Sequence, residues 1–349
     1  METRELRPGY RISRIIRGGW QLAGGHGDVE REAAVADLVA SAEAGILTFD
    51  CADIYTGVEE LIGAARRAFA DRHGAAALKA LKVHTKFVPD LAHLHEVDRI
   101  YVRTIVERSL RRLGQERLDL VQFHWWDYAV PGCLDAGRWL EELRAEGKID
   151  LIGGTNFDTH HTEKLVAAGV PLASMQVQYS LLDARPEHGL IEACRKHQVH
   201  LLVYGTVAGG FLGDRWLGRP EPEAALENRS LTKYKLIIDD FGGWDLFQAL
   251  LRALRKVADR HGVDIATVSS RYTLDLPQVA AVIVGARNRE HLIANLKIAT
   301  VRLTETDRAE IGAVLAQRQG PEGDTFELER DREGRHGRIM KYNLSRAVS

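Results

Sequence analysis

The stretch IYVRTIVERSLRRLGQERLDLVQFH, residues 100 to 124, reads as one helix followed by one strand. Apolar residues recur at helical spacing from Val102 to Leu113, while arginines and glutamates occupy the other positions, which predicts an amphipathic helix. Gly114 is suited to end that helix. The apolar run that starts at Leu118 predicts a buried strand up to His124.

The same alternation of short apolar runs and helical segments recurs on both sides of this unit. Eight such strands with short helical connections imply parallel pairing and right-handed crossovers. A doubly wound sheet of this size would need a reversal of strand order that the pattern does not show. We therefore predict a (β/α)8 barrel, with strands at Ser13–Trp20, Ile46–Asp50, Leu81–Lys86, Leu118–His124, Ile149–Thr155, Ser174–Gln178, His200–Tyr204 and Val279–Gly285.

Two regions interrupt the alternation. Residues 205–245, after the seventh strand, are too long for an ordinary connection and predict a lid or binding loop at the carboxyl rim. The barrel domain is predicted to span residues 1–315, and residues 316–349 form a C-terminal extension. Its many charged residues and glycines are typical of a mobile tail, whereas Phe326, Met340 and Tyr342 favour packing against the barrel.

Composition narrows the class of protein. The chain has 349 residues, 45% hydrophobic and 28% charged, with a formal net charge of −2 at pH 7. A balance so near neutrality argues against binding to nucleic acid or to a membrane surface. No apolar segment suggests a secretory signal or a membrane span. Three scattered cysteines predict neither a disulfide framework nor a metal cluster. We expect a cytoplasmic protein without a metal, and its oligomeric state is not predicted.

Ionisable side chains stand at the ends of three neighbouring strands. The second strand ends at Asp50, the third at Lys86 and the fourth at His124, and Tyr55 follows Asp50 by five residues. Because barrel active sites lie at the carboxyl ends of the strands, these four side chains should meet at one mouth. Each alone has an ordinary structural explanation, such as a helix cap or a solvated rim lysine. Together they predict a proton-donating site.

The predicted chemistry depends on Tyr55. A phenol has a pKa of about 10, and a neighbouring ammonium favours the phenolate. We therefore expect Lys86 to lower the pKa of Tyr55 and to make it a better general acid. Asp50 would hold Lys86 and offset the cost of burying its charge, and His124 would orient and polarise a substrate carbonyl. No side chain donates a hydride, so a cofactor is required.

Residues 49–63 resemble a motif of the aldo-keto reductase superfamily. There, Phe-Asp-Cys-Ala-Asp-Ile-Tyr is followed by Glu-Glu-Leu-Ile-Gly, and an aspartate and a tyrosine stand five residues apart before a helix. The resemblance extends over roughly residues 13–300. It implies a (β/α)8 barrel that reduces carbonyl compounds reversibly with a nicotinamide cofactor, and Arg287 predicts that this cofactor is NADPH in preference to NADH. It also implies that Asp50, Tyr55, Lys86 and His124 form the catalytic tetrad.

Two further segments match the family, Gly153-Gly154-Thr155-Asn156-Phe157 and Met175-Gln176-Val177-Gln178-Tyr179-Ser180. The resemblance implies that Asn156 and Gln176 bind the nicotinamide carboxamide, whose donor and acceptor match those of an amide. Thr155 stands where many relatives have serine and keeps the hydroxyl. Tyr204 would stack on the nicotinamide ring. The segment Tyr204-Gly205-Thr206-Val207 stands where the family more usually has Tyr-Ser-Pro-Leu. From Ala208 the sequence matches the family again, which implies that the backbone of Gly209 and Gly210 contacts the pyrophosphate of the cofactor.

The end of the eighth strand resembles the family's adenosine-binding segment. It comprises Gly285, Arg287, His291 and Asn295, although several relatives have serine and glutamine where this chain has Arg287 and His291. A guanidinium matches the geometry of a phosphate, so Arg287 is predicted to bind the adenosine 2′-phosphate of NADPH. The alternative is a rim arginine paired with a nearby glutamate or with solvent.

Tryptophans are expected to line the substrate pocket. Trp20 ends the first predicted strand, and Trp125 and Trp126 follow His124 directly. Such side chains would form an apolar cleft around one polar centre, which suits a small aldehyde or an aryl ketone. Since two consecutive residues point in opposite directions, one of the pair is expected to face the helices.

Two other functions compete with this interpretation. Potassium-channel β-subunits belong to the same superfamily, bind nicotinamide and turn over slowly, so the chain could be a regulatory sensor. A metal-dependent barrel hydrolase could use His84, His124 and Asp50, since His84 lies on the same strand face as Lys86. The ligand spacing does not complete such a site.

Overall fold

Eight parallel strands close into a barrel in the computed structural model, which describes residues 1–23, 30–285 and 289–344. Each strand pairs with its neighbour in the chain, and the last also pairs with the first. This confirms the predicted (β/α)8 barrel. The strands are β3 (Ile15–Gly18), β4 (Thr48–Asp50), β5 (Lys82–Phe87), β6 (Leu118–Phe123), β7 (Ile149–Thr155), β8 (Leu172–Gln178), β9 (His200–Tyr204) and β10 (Val279–Val284).

Helices surround the strands, as expected for crossovers between parallel neighbours. Among the described residues, each crossover up to β9 contains one α-helix, and three α-helices connect β9 to β10. The helices are α1 (Arg31–Glu43), α2 (Val58–Leu78), α3 (Arg99–Leu113), α4 (Cys133–Ala145), α5 (Thr159–Ala167), α6 (Leu190–Lys196), α7 (Arg229–Phe241), α8 (Gly243–His261), α9 (Ile265–Leu274), α10 (Arg289–Ile298), α11 (Glu305–Leu315) and α12 (Glu327–Arg330). None of these helices, within the described residues, is long and apolar enough to cross a membrane.

Helix α3 shows how the sequence sets an element. The Asp98 side chain accepts a hydrogen bond of 2.7 Å from the backbone N–H of Tyr101 and caps the helix at its start. Its apolar face, from Val102 to Leu113, is buried. Gly114 ends the helix at a φ of 62°, a conformation that costs glycine little. The chain is then free to enter β6.

The predicted first strand, residues 13–20, proved to be too long. Ser13 ends β2 (Tyr10–Ser13), which pairs antiparallel with β1 (Thr3–Arg7), and the barrel strand occupies only the middle of the predicted range. Leu6, Tyr10 and Ile12 of this hairpin pack with the barrel's own interior side chains. The hairpin therefore closes the amino end of the barrel, and the mouth lies at the carboxyl end.

A regular helix occupies part of residues 205–245. They contain α7, which the Asn228 side chain caps by accepting a hydrogen bond of 3.0 Å from the N–H of Leu231. Helix α7 has a buried apolar face that packs with α8 in one cluster. Residues 316–344 pack against the carboxyl end of the barrel. The N–H of Leu91, after β5, donates to the carbonyl of Tyr342 at 2.9 Å, and Phe326 is only 3% exposed.

Candidate active site

The carboxyl ends of β4, β5 and β6 bring three of the predicted catalytic residues together. Asp50 is the last residue of β4, Lys86 is the penultimate residue of β5, and His124 follows the end of β6 directly. The strands are hydrogen-bonded neighbours, and all three side chains are buried. Parallel strand direction thus places a carboxylate, an ammonium and an imidazole at one rim.

Lys86 and Asp50 form a buried ion pair. The Nζ of Lys86 donates to Asp50 Oδ1 at 2.7 Å and to the carbonyl oxygen of Cys51 at 2.7 Å. Burial acts to lower the pKa of Lys86, but the Asp50 carboxylate and the Tyr55 hydroxyl oppose it, and the pKa is raised overall. Lys86 is therefore a charged ammonium over the neutral pH range.

Two glutamines hold the second oxygen of Asp50. Gln122 donates to Asp50 Oδ2 at 2.8 Å, and Gln176 donates to the same oxygen at 2.6 Å and to Gln122 Oε1 at 2.9 Å. Sequence reasoning did not single out Gln122. Strand alternation could have found it, because it stands two residues before His124 and so shares its face. These contacts leave the Asp50 carboxylate with one orientation.

Tyr55 reaches the same rim from the turn that follows β4. Its backbone N–H donates to the carbonyl of Ala52 at 3.0 Å, and its own carbonyl accepts from Val58 at the start of α2. The Lys86 Nζ lies 5.1 Å from the centre of the Tyr55 ring. The turn therefore brings the phenol to the ammonium.

The expected direction of the Tyr55 pKa was wrong. Burial raises the pKa of Tyr55 above its ordinary value, and the Lys86 ammonium opposes that effect without reversing it. The reason is that removing a phenolate from water costs more than one ammonium at this position returns. Tyr55 is consequently a protonated phenol at neutral pH.

His124 makes one hydrogen bond and leaves its other nitrogen without a partner. Its Nδ1 lies 2.9 Å from the carbonyl oxygen of Thr155. Its Nε2 is buried and has no hydrogen-bond partner among the described residues. Burial, and after it the positive charge of Arg330, lowers the pKa of His124 to about 3, so the ring is neutral.

Asn156 and Tyr204, two residues with predicted cofactor roles, contact one another. The Tyr204 hydroxyl donates to Asn156 Oδ1 at 2.9 Å. Asn156 has a φ of 60°, and its backbone N–H donates to the carbonyl of Gln176 at 2.8 Å. Lys233 of α7 lies 5.4 Å from the centre of the Tyr204 ring. The structure thus brings Thr155, Asn156, Gln176 and Tyr204 to adjacent strand ends.

Glycines provide exposed backbone beyond β9. Gly209 and Gly210 are exposed and have φ values of 66° and 108°. Around Gly210 a Cβ atom would meet nothing within 4 Å, so its backbone is open to an approaching group. Gly205 has a different reason to be glycine, since a Cβ there would lie 2.5 Å from the Tyr234 hydroxyl.

The predicted adenosine-binding residues lie after β10. Asn295 Nδ2 donates to the carbonyl of Gly285 at 3.0 Å, and His291 is exposed on α10. Arg287 lies outside the described residues. Together, the amides at β7 and β8, the Tyr204 ring and the open glycines after β9 fit a dinucleotide laid along this side of the mouth.

The three predicted pocket tryptophans have different environments. Trp20 lies in a turn after β3, is 43% exposed and has its ring 5.0 Å from that of Tyr55. Trp126 stands edge-on to His124 with ring centres 4.4 Å apart. Trp125 points away from the mouth, with its Nε1 donating to the carbonyl of Val130 at 3.1 Å. Consecutive side chains after a strand point to opposite sides, so only Trp20 and Trp126 border the site.

Residues of the C-terminal extension complete the mouth. The Phe326 ring centre lies 5.7 Å from that of His124, and Arg330 donates to the carbonyls of Asn156 at 2.8 Å and Trp125 at 3.1 Å. Glu329 is fully buried and bound to Arg185. Apart from the aromatic residues noted above, no local sequence pattern marks these contacts, because their partners are more than 100 residues away.

The described residues do not support a metal-dependent hydrolase. His84 is buried inside the barrel, where its ring stacks on Tyr10 with centres 6.2 Å apart. Among the described residues, no group of three or more histidines, cysteines or acids could hold a metal ion.

Comparison with known proteins places this chain in a family. Residues 14–316 match the model of the aldo/keto reductase family. A solved thermostable aldo-keto reductase in complex with the inhibitor epalrestat superposes with a TM-score of 0.70 at 26% identity, covering 90% of this chain and 99% of that one. The chain therefore belongs to the aldo/keto reductase family, and it is an oxidoreductase that uses a nicotinamide cofactor and small carbonyl substrates.

Relatives in sequence agree with that assignment. The aldo-keto reductase YhdN of Bacillus subtilis is 26% identical over 88% of this chain and 91% of its own length. An NADH-specific methylglyoxal reductase of Escherichia coli is 24% identical over 85% of this chain and 92% of its own length. Flagellar radial spoke protein 5 of Chlamydomonas reinhardtii is 30% identical, but the match spans only 46% of this chain and 34% of that protein.

Proposed function

We propose that this enzyme reduces an aldehyde or a ketone to an alcohol with NADPH, reversibly, and that Tyr55 supplies the proton. The observation that carries the proposal is the position of the Lys86 ammonium, 2.7 Å from Asp50 Oδ1 and 5.1 Å from the centre of the Tyr55 ring. A cation held between a carboxylate and a phenol stabilises the phenolate that proton donation produces.

When bound, the reduced nicotinamide supplies a hydride to the carbonyl carbon. Negative charge then forms on the carbonyl oxygen, and the Tyr55 hydroxyl donates its proton there. Because burial raises the pKa of Tyr55, the phenol carries its proton before the reaction begins. Lys86 stabilises the phenolate that remains, and Asp50, held by Gln122, keeps Lys86 in place. Solvent returns the proton to Tyr55 after the alcohol forms.

We assign the cofactor to the side of the mouth formed by β7 to β10. Thr155, Asn156 and Gln176 would bind the carboxamide, which requires the Tyr204 hydroxyl to release Asn156 Oδ1. The Tyr204 ring would stack on the nicotinamide. Gly209 and Gly210, both exposed, would let the backbone approach the pyrophosphate. Gly285, His291 and Asn295 would contact the adenosine.

Arg287 is the basis for proposing NADPH in preference to NADH. A guanidinium pairs with a phosphate through two hydrogen bonds, and only NADPH carries the adenosine 2′-phosphate. One relative is named for NADH specificity, so cofactor choice varies among similar proteins. Cytoplasmic placement is part of the same proposal, because all three cysteines are free thiols, a state that a reducing compartment maintains.

The test is a carbonyl panel that includes 4-nitrobenzaldehyde, run with NADPH and with NADH. Wild-type enzyme is expected to consume NADPH, and Tyr55→Phe to lose about 10²- to 10⁴-fold in kcat while its Kd for NADPH is unchanged. Tyr272→Phe, which alters a half-buried tyrosine of α9 that contacts Arg308, is the matched control. Tight NADPH binding without turnover on any carbonyl would contradict the proposal and favour a regulatory sensor.

A further inference from the structure

Hydrogen bonds hold the backbone of Asn156 on both sides. Its φ of 60° lies in the left-handed region, which asparagine adopts more readily than most residues but still at a cost. Its N–H donates to the carbonyl of Gln176 at 2.8 Å, and its own carbonyl accepts from Arg330 at 2.8 Å. The side chain can therefore exchange the Tyr204 hydroxyl for a ligand while the backbone stays in place.

Arg330 reaches the Asn156 carbonyl from the C-terminal extension. The same nitrogen, Nη2, also donates to the carbonyl of Trp125 at 3.1 Å. Asn156 follows β7 and Trp125 follows the end of β6, and these two strands are hydrogen-bonded neighbours in the barrel. One guanidinium therefore joins the ends of two strands at the mouth, although its partners lie 174 and 205 residues away in the chain.

Aromatic rings fix the position of the Arg330 guanidinium. Its central carbon lies 4.3 Å from the centre of the Tyr128 ring and 5.3 Å from that of Phe326. A planar guanidinium stacked on a ring loses less freedom when it forms hydrogen bonds than a flexible cation does. The nearby Arg332 differs, because it is 57% exposed and pairs with Asp127 at 3.4 Å. Arg330 is thus arranged to hold backbone carbonyls.

We propose that Arg330 is a positioning residue for the nicotinamide: by holding the Asn156 carbonyl, it keeps the Asn156 amide where the carboxamide binds. The inference rests on the cofactor site proposed above. Without Arg330 the Asn156 carbonyl loses its donor and the left-handed backbone can relax. The amide then moves away from its partner, and small displacements of a positioned group are costly. The C-terminal extension therefore contributes to cofactor affinity through the backbone of the barrel.

Two ligands that differ only in the nicotinamide test this role: NADPH and 2′-phospho-ADP-ribose, which is the same molecule without that ring. Arg330→Met removes both hydrogen bonds and keeps a long side chain beside Tyr128. Loss of a hydrogen bond from a charged group corresponds to about tenfold or more in an equilibrium constant. By titration calorimetry, we expect Kd for NADPH to rise about tenfold and Kd for 2′-phospho-ADP-ribose to stay unchanged. An unchanged Kd for NADPH, or an equal rise for both ligands, would overturn the inference.

Further variants assign the effect to the Arg330 guanidinium. Arg330→Lys keeps the charge but loses the planar stack on Tyr128, so its Kd for NADPH should be intermediate. Arg332→Met, in the same extension, should bind both ligands as wild type does. In Arg330→Met, KM for NADPH should rise much more than kcat falls at saturating cofactor. Failure of the wild-type enzyme to bind NADPH would instead overturn the proposed function, and with it this role.

The effect of Arg330 on the site can also be measured without any ligand. The Asn156 N–H is protected from exchange by its hydrogen bond to Gln176. We expect amide exchange at Asn156 and Phe157 to be faster in Arg330→Met, while exchange in β4 is unchanged. Wild-type exchange at Asn156, or equal acceleration throughout the barrel, would contradict the positioning role.

Discussion

Glu329 and Arg185 form a two-point salt bridge beneath the mouth, although they are 144 residues apart in the chain. Arg185 Nη1 lies 2.8 Å from Glu329 Oε2, and Nη2 lies 3.0 Å from Oε1. Asp183 binds the same guanidinium from its other side, and the Lys233 ammonium lies 3.8 Å from Glu329. Two buried carboxylates, the buried Arg185 and the partly buried Lys233 thus attach the C-terminal extension to the barrel.

Removing the charge of Glu329 is expected to release the extension. In Glu329→Gln the partly buried Lys233 loses its carboxylate partner, and Arg185 keeps only Asp183. Removing one partner of a buried ion pair typically lowers the free energy of unfolding by about 3–5 kcal/mol. We expect a loss of that order in the free energy of unfolding by urea and faster amide exchange in residues 316–344. Glu333→Gln is the control, because that side chain is 92% exposed, and equal losses in both variants would refute the role of the salt bridge.

Acid should loosen the same attachment. Burial acts to raise the pKa of Glu329, but Arg185 and Lys233 outweigh it and lower the pKa from 4.5 to about 2. A lowered pKa in the folded state means that the stabilisation is complete above pH 4.5 and is lost as the pH falls toward 2. Amide exchange of residues 316–344, compared between wild type and Glu329→Gln from pH 6 to pH 2, should converge at the acid end. Parallel curves with a constant separation would contradict this.

Deleting the Lys86 ammonium alone should destabilise the barrel more than deleting both members of the pair. Lys86→Met leaves a buried carboxylate with amide donors only, at a cost of about 3–5 kcal/mol. Asp50→Asn combined with Lys86→Met removes the uncompensated charge and should recover much of that loss. The measurement is the free energy of unfolding in urea. Lys196→Met, which removes an exposed ion pair with Glu163, should cost no more than about 1 kcal/mol. Additive effects of the two central substitutions would argue against the pair.

Arg287→Ala should weaken the binding of NADPH more than the binding of NADH. Loss of a charge-assisted pair to the 2′-phosphate corresponds to about 10- to 100-fold in Kd, whereas NADH has no phosphate at that position. Cofactor Kd values from protein fluorescence give the ratio directly. Arg302→Ala, which removes a surface arginine paired with Glu2, should leave the ratio unchanged. An unchanged ratio in Arg287→Ala would remove that residue from the proposed role.

The barrel was predictable because its signals are local. Eight apolar runs separated by helical periods are visible within windows of ten to twenty residues, and strand direction alone brings Asp50, Lys86 and His124 to one rim. Errors arose where the course of the chain or the direction of a side chain depends on its tertiary surroundings. The first strand was predicted too long because the hairpin of β1 and β2 interrupts it, and Trp125 was assigned to the pocket although its side chain packs behind the rim.

Periodicity and strand order, both written in neighbouring residues, determined the (β/α)8 barrel and the meeting of a phenol, an ammonium, a carboxylate and an imidazole. Only the tertiary structure decided the protonation of those groups and the shape of the mouth. These properties depend on contacts between segments far apart in sequence. Examples are the burial of Tyr55, the contact of His124 with the Thr155 carbonyl and the Arg185–Glu329 salt bridge. Desolvation and hydrogen bonding depend on the surrounding atoms and not on the order of residues, so no local pattern could reveal them.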